Sequence, residues 1–372
     1  MREGWKYQKL GELVKVINGL WVGKKPPFTN VAVVRNANFT KSCTLDMSNI
    51  AYIDVEEKQF NTRELQYADI IIEKSGGSEK QPVGRPVFFN IKDRGYSFSN
   101  FTATLRVVSS DIVPEYLYKV LLAQYKQGVT KRLQSKTTGL HNLDFKSYLK
   151  SVIPIPSCEK QLSIVSELDK INELIRLKKE QLKDYDNLAQ SIFYEMFGDP
   201  VENEKGWEVK KFANLYKLKS GDNLSAKNFV EGEIPVYGGN GISGYHNDFN
   251  MDGDFIIIGR VGVYCGNVRE VHGKFWLTDN AFQLFYNREI QYPCFIHYLL
   301  EILDLHKYAN AAAQPVISNL TLKDVEIIIP PLSLQQLFAQ RIELIEKQKE
   351  EVQRTIKDLE TLLASRMQYW FD

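Results

Sequence analysis

The stretch Gln161–Phe197 reads QLSIVSELDKINELIRLKKEQLKDYDNLAQSIFYEMF, and Gln336–Phe371 reads QLFAQRIELIEKQKEEVQRTIKDLETLLASRMQYWF. In the first, apolar residues recur in steps of four and three: Ile164, Leu168, Ile171, Ile175, then Leu182, Tyr185, Ala189, Ile192 and Met196. Adding 174 to each gives Phe338, Ile342, Ile345, Lys349, Ile356, Leu359, Leu363, Arg366 and Trp370, and the skipped slot Lys178 falls on Val352. A 3.5-residue repeat lays a narrow apolar stripe along one face of a helix, which suits pairing with a second helix. Two such helices in one heptad phase are expected to pair with each other. At 1.5 Å per residue each would span roughly 50 Å. The pattern is that of a spacer.

A chain of 372 residues with 44% hydrophobic content can hold two or three cores, and the repeat argues for two equivalent halves. The expected layout is a first domain over 1–157, a spacer helix over 158–198, a second domain over 199–332 and a second spacer helix over 333–372. No apolar run of 18 residues occurs, and Met1-Arg2-Glu3-Gly4-Trp5 does not have the form of a signal peptide, so the expected location is the cytoplasm, with no membrane partner. Cys43, Cys158, Cys265 and Cys294 are scattered and show no Cys-x-x-Cys spacing, which suits reduced thiols in small core positions. Net charge is +1 for the whole chain. Residues 1–160 hold 24 Lys/Arg against 15 Asp/Glu, whereas 198–332 hold 12 against 17. The first domain is therefore the candidate polyanion binder, and the second is acidic.

The two halves share an order of features. Gly4-Trp5 opens the first and Gly206-Trp207 the second, 202 residues later, and the same offset relates Gly19 to Gly221. Strands are expected at Val31–Val34, Ile70–Ile72, Pro86–Phe89 and Thr102–Val108, followed by a helix from Pro114 to Lys126. A basic, hydroxyl-rich loop, Lys131 to Gly139, precedes the proline hinge Val152–Pro156. In the second half, short strands and Gly turns run from Ile234 to Phe285. A helix over Pro293–Leu303, the loop Ala309–Pro315 and a second hinge, Ile327–Pro331, follow. Phe197-Gly198-Asp199-Pro200 is a helix stop.

Several motifs carry competing readings. Gly239-Asn240-Gly241-Ile242-Ser243-Gly244 fits a dinucleotide-binding fingerprint, but no amphipathic helix follows it, so a flexible Gly/Asn loop or a plain turn is expected. Lys25-Pro26-Pro27-Phe28 is similar to the Pro-Pro-aromatic signature of adenine methyltransferases, yet Lys25 offers no acceptor for an adenine amino group. The five His show no metal-ligand spacing. Ile70-Ile71-Ile72-Glu73-Lys74-Ser75-Gly76 and Ile256-Ile257-Ile258-Gly259-Arg260-Val261-Gly262 each place a cation where an apolar strand emerges. A fixed cation there could meet a phosphate or the O6/N7 edge of guanine, or simply be a solvated loop charge.

The layout resembles the specificity (S) subunit of type I restriction–modification systems. The paired Gly-Trp openings carry the resemblance, with Tyr237-Gly238-Gly239-Asn240-Gly241-Ile242-Ser243-Gly244-Tyr245, Ile258-Gly259-Arg260-Val261-Gly262, the two proline-hinged Ile/Val runs and Phe197-Gly198-Asp199. One departure is Glu159-Lys160-Gln161 and Leu334-Gln335-Gln336, where the family shows a Glu-Gln pair. The resemblance implies an α+β fold: two similar, mainly β target recognition domains separated by two long antiparallel helices in a coiled coil, as a pseudo-two-fold repeat. It implies a non-catalytic DNA-binding subunit whose domains each read half of a bipartite target. Two methyltransferase subunits and restriction subunits would be partners, and S-adenosylmethionine, ATP and Mg would sit on those partners. Expected base contacts are Arg35, Asn38, Lys74, Ser75 and Arg85 in the first domain, and Tyr237, Asn240, Ser243, Tyr245 and Arg260 in the second. Lys131, Arg132, Lys136, Thr137, Thr138 and Gln314 are expected on phosphates. The alternatives are a specificity subunit of a type IIB-like system, or a coiled-coil scaffold without sequence preference.

Overall fold

The structure is a computed structural model describing residues 2–21, 23–79, 81–137, 140–310 and 314–372, with Lys136, Thr137 and Leu140 described as backbone only. The chain forms two compact units, Met1–Leu177 with Ile356–Asp372, and Lys178–Thr355. Two helices of 40 residues each, Cys158–Phe197 and Leu332–Phe371, contribute to both units, and their ends match at the offset of 174. Each starts about one turn earlier than the heptads alone predict, just past the hinge prolines. Gly198, at φ +75°, stops the first by turning its N–H back onto the Tyr194 carbonyl at 2.8 Å.

Within each unit the helix halves pack against each other in opposite directions. In the first unit Ile164, Leu168, Ile171 and Ile175 are buried, as are Ile356, Leu363, Met367 and Trp370. Glu167 accepts from Arg366 Nη2 at 3.1 Å and from Trp370 Nε1 at 3.0 Å. In the second unit Lys349, a charge in an apolar slot, meets Asp186 and Glu346, both at 2.8 Å. The heptad stripe changes character near its end. Phe193 and Phe197, which the stripe passes over, are fully buried and pack on Phe338 and Phe295, while Ile192 is half-buried. There the helix faces the core of its unit, which needs a wider apolar face than a coiled-coil seam.

In the first unit Lys6–Lys9 pairs with Val152–Ile155, tying the opening of the chain to the hinge. A four-stranded antiparallel sheet follows in the order Val14–Asn18, Thr102–Val107, Ile70–Glu73, Pro86–Phe88. Ala51–Glu56, Phe28–Val34 and Tyr96–Phe98 form a second sheet. In the second unit Glu208–Lys211 pairs with Glu326–Ile329. Its main sheet has six strands in the order Lys217–Ser220, Ala281–Phe285, Met251–Gly259, Val268–Leu277, Ile234–Gly238, Gly241–His246. The opening pair and the first three strands of each main sheet correspond between the units. So do Gly19 and Gly221: a Cβ would lie 1.9 Å from the Ser99 carbonyl oxygen at one and 2.2 Å from that of Leu277 at the other. Only glycine lets those backbones meet.

The clearest repeated device is a pair of buried glutamines at the same offset of 174. Gln161 accepts from the Val113 N–H at 2.8 Å and donates to the carbonyls of Asp111 (2.8 Å) and Pro156 (3.0 Å). Gln335 accepts from the Tyr292 N–H at 2.8 Å and donates to Ile290 (3.1 Å) and Pro330 (2.8 Å). Val113 and Tyr292 directly precede the short helices Pro114–Lys126 and Pro293–Ile302. Each glutamine thus locks the first turn of a long helix, the proline hinge and the start of a short helix into one joint. Among the described residues no helix is long and apolar enough to cross a membrane.

Candidate nucleic-acid interface

Both units end the central strand of the main sheet in a cation. In the first, Ile72 lies opposite Ala103, which lies opposite Asn18. In the second, Ile258 lies opposite Phe282, which lies opposite Ser220. Lys74 and Arg260, two residues past those isoleucines, are therefore structural equivalents. Asn18 and Ser220, related by the opening offset of 202, hold them: Lys74 Nζ donates to Asn18 Oδ1 at 3.1 Å, and Arg260 Nη1 to Ser220 Oγ at 3.1 Å. Partial burial holds the Lys74 ammonium below its usual pKa. Arg260 also donates to the Asp279 carbonyl at 3.2 Å and lies over the Phe282 ring. Each cation is fixed by one polar side chain and keeps further donors for a ligand.

Around Lys74 the structure brings together segments far apart in sequence. Ser75–Gly77 pairs with Leu140–Leu143, which pairs with Gln134–Thr137, so the expected basic loop is largely a β-hairpin in a three-stranded sheet. Ser75 Oγ is bonded to Asn142 Oδ1. Lys131 and Arg132 are exposed on the turn Thr130–Leu133 just before the hairpin. Lys136 and Thr137 lie on its first strand, and Thr138 falls outside the described residues.

Two first-domain expectations are corrected. Arg85 is buried: Nε pairs with Glu73 Oε2 at 3.1 Å, and Nη1 and Nη2 donate to the carbonyls of Phe39 (3.0 Å) and Asn36 (3.3 Å). Burial lifts the Glu73 carboxyl above its usual range, against the pull of Arg85. Asn38 is buried too, accepting from the Arg35 N–H at 3.0 Å and donating to the Asp46 carbonyl at 3.0 Å. Both side chains are spent on holding the loop, so they are scaffold and not contacts. Arg35, whose backbone Asn38 fixes, has an exposed side chain.

In the second unit the Gly-rich motif is no flexible loop. Ile234–Gly238 and Gly241–His246 form a hairpin with Gly238 opposite Gly241 and a two-residue turn at Gly239 and Asn240. A Cβ on Gly239 would lie 2.9 Å from the Val261 carbonyl oxygen and 3.1 Å from that of Asn280, so this tip packs backbone to backbone on the loop carrying Arg260. Gly262 N–H donates to the Pro315 carbonyl at 2.9 Å, which brings in exposed Gln314. Asn240 and Tyr245 are exposed, Ser243 Oγ donates to the Val236 carbonyl at 3.1 Å, and Tyr237 is half-buried against Phe275. Arg269, unmarked in the sequence reading, lies against Gly241, whose Cβ would sit 3.2 Å from its guanidinium. Asn18 and Ser220 also went unmarked, although the offset of 202 relates them.

The family model described as "Type I restriction modification DNA specificity domain" matches residues 2–184 and 204–361. The chain belongs to that family. The first matched segment holds the sheets of the first unit and the start of the first long helix, and the second holds the sheets of the second unit and most of the second long helix. The chain is 29% identical over 231 residues to the EcoprrI type I restriction enzyme specificity subunit of Escherichia coli, covering 56% of this chain and 55% of that one. It therefore spans about half the length of that relative. It is 21% identical to the putative type I restriction enzyme MjaX specificity subunit of Methanocaldococcus jannaschii, over 98% of this chain and 93% of that one. A structure solved in work on complex assembly and conformational transition of the type I R-M system shares the fold, with TM-score 0.64, 17% identity, and coverage of 100% of this chain and 98% of the other. The S subunit from M. genitalium shares it with TM-score 0.55 at 15% identity, over 98% and 95% of the two chains.

Proposed function

We propose that this specificity-domain protein is the DNA sequence-specificity subunit of a type I restriction–modification complex. Each globular domain reads one half of a bipartite DNA target. The paired helices set the distance between the halves and dock two methyltransferase subunits, with restriction subunits joining the assembly. The chain itself is non-catalytic in this reading, and S-adenosylmethionine, ATP and Mg act on the partner subunits. The observation that carries it is the duplication: one family match in each half, each with a clamped cation at the same end of the same sheet. Direct readout needs such fixed donors, because a bidentate contact to guanine discriminates only if the donor cannot wander. Lys74, Ser75 and Arg35 in the first domain, and Arg260, Asn240, Ser243, Tyr245 and Tyr237 in the second, are the proposed base-facing residues. Lys131, Arg132, Lys136, Thr137, Thr138 and Gln314 are the proposed phosphate contacts. The acidic second domain relies on the assembled complex for much of its attraction to DNA.

The test is to map methylated bases across the DNA of cells that hold the partner subunits, with and without this gene. Two short specific segments separated by a gap of fixed length should carry the methylation, and it should vanish with the gene. Methylation that survives the deletion, or a single uninterrupted motif, overturns the proposal.

A further inference from the structure

Beside each clamped cation the two domains carry an equivalent four-residue turn, and its sequence differs between them. Ser99-Asn100-Phe101-Thr102 is closed by the Thr102 N–H on the Ser99 carbonyl at 3.0 Å. Thr278-Asp279-Asn280-Ala281 is closed by the Ala281 N–H on the Thr278 carbonyl at 3.1 Å. The third residue of each accepts the backbone N–H of the cation itself: Lys74 N–H to Phe101 at 2.9 Å, and Arg260 N–H to Asn280 at 2.9 Å. Phe101 and Asn280 are thus the same position in two copies of one frame. Each is hydrogen-bonded through its backbone to the cation and has an exposed side chain; Phe101 leaves 47% of a large apolar surface open. The Asn280 side chain makes no hydrogen bond among the described residues. Each turn is closed by its backbone with help from a threonine hydroxyl, Thr102 Oγ1 donating to the Ser99 carbonyl at 2.7 Å in one and Thr278 Oγ1 accepting from the Asn280 N–H at 3.4 Å in the other, and no hydrogen bond of either turn uses the ring or the amide.

We propose that Phe101 and Asn280 are further base-reading side chains, and that they make the two half-sites differ at one equivalent position, each reading the base pair next to the one met by Lys74 or Arg260. This rests on the DNA-specificity reading above. A free amide fits the N6/N7 edge of adenine, which it can bond through both its oxygen and its nitrogen, while an apolar ring fits the methyl group of thymine. The first half-site then holds a thymine beside the Lys74 contact, and the second an adenine beside the Arg260 contact.

The experiment uses the full chain assembled with its methyltransferase subunits and reads the methylated motif together with binding to DNA altered one base pair at a time. Phe101→Ala should lower discrimination at one base pair of the first half-site roughly tenfold and leave the second half-site unchanged. Asn280→Ala should do the reverse. Phe101→Leu, which keeps apolar contact, should retain most of the preference, and Asn280→Asp, which loses the donor, should not. If both alanine variants assemble and methylate the unaltered motif with unaltered discrimination, the assignment falls while the DNA-specificity reading stands. If the intact chain directs no sequence-dependent methylation, the reading beneath it falls. Equal weakening on every sequence makes these side chains backbone contacts and also overturns the assignment.

Discussion

At the scale of single residues the two domains differ less than their composition suggests. The cation at the sheet end is a half-buried lysine in one and an arginine over a phenylalanine in the other, yet each is held by the last side chain of the edge strand, two strands away. A fixed guanidinium offers a bidentate fork, whereas a lysine on a turn offers a point charge. Arg260→Ala should therefore relax the second half-site by ~1–3 kcal/mol, with non-specific affinity little changed. Lys131→Ala should weaken binding to all sequences alike and reduce the magnitude of the salt slope by about one. A salt titration of binding to specific and scrambled duplexes separates the two, and uniform weakening by Arg260→Ala would make Arg260 a phosphate contact. The glutamine joints make a separate prediction. Gln161→Leu strands the Val113 N–H and two carbonyls in a buried site, and Gln335→Leu strands the matching three groups. Each should cost about 2–4 kcal/mol, read as an earlier unfolding midpoint in denaturant. An unshifted midpoint would mean that water replaces the side chain and the joint is not what holds the hinge.

At the scale of elements, periodicity and punctuation made much of the fold legible. The heptads placed both long helices within four residues of their ends, and the helix Pro114–Lys126 has the bounds its proline start predicts. Three kinds of feature stayed hidden. Arg85 looked like a surface cation because its partner, Glu73, lies in another strand; only the pairing of Ile70–Glu73 with Pro86–Phe88 shows that both are buried. The pairing of Gln134–Thr137 with Leu140–Leu143 is local, but its docking on Ser75–Gly77 is a long-range contact that local pattern does not encode. Gln161 and Gln335 stand in the two motifs that follow the proline hinges, but a polar residue at a helix start reads as exposed until its partners are seen. The ion pairs along the helices were equally silent. The Arg366 hydrogen bond, with help from Trp370, holds the Glu167 carboxyl below the usual carboxylate range. A carboxyl with a depressed folded pKa stabilises the fold above its unfolded value, near pH 4, and loses that contribution as the pH falls through the folded value. Glu167→Gln should thus cost about 0.5–1 kcal/mol at neutral pH, since the pair is one-third exposed, and almost nothing in strong acid. Denaturant unfolding of both forms at neutral pH and near pH 3 checks the sign, and a penalty that grew in acid would contradict it.

For the whole molecule, the proposed ruler can be tested by its arithmetic. The units divide each long helix between Leu177 and Lys178 and between Thr355 and Ile356, so an insertion at both points lengthens the pair without touching either domain. Seven residues in each helix keep the heptad phase and add about 10 Å, equal to about three base pairs at 3.4 Å each. The gap in the methylated motif should grow by about three, with both half-sites unchanged. Twist adds a second condition. Three base pairs turn the duplex by roughly 100°, given 10 to 10.5 pairs per turn, whereas one heptad returns the helix face to within about 20° of where it began. The single-heptad form should therefore bind its lengthened target more weakly than the parent binds its own. Three heptads add about 31 Å, close to one full DNA turn of 34 Å, and should recover affinity for a gap longer by nine or ten pairs. Competition binding on duplexes that vary only in gap length gives both curves. A gap preference that does not move with either insertion means that the helices join the two readers without measuring the distance between their sites.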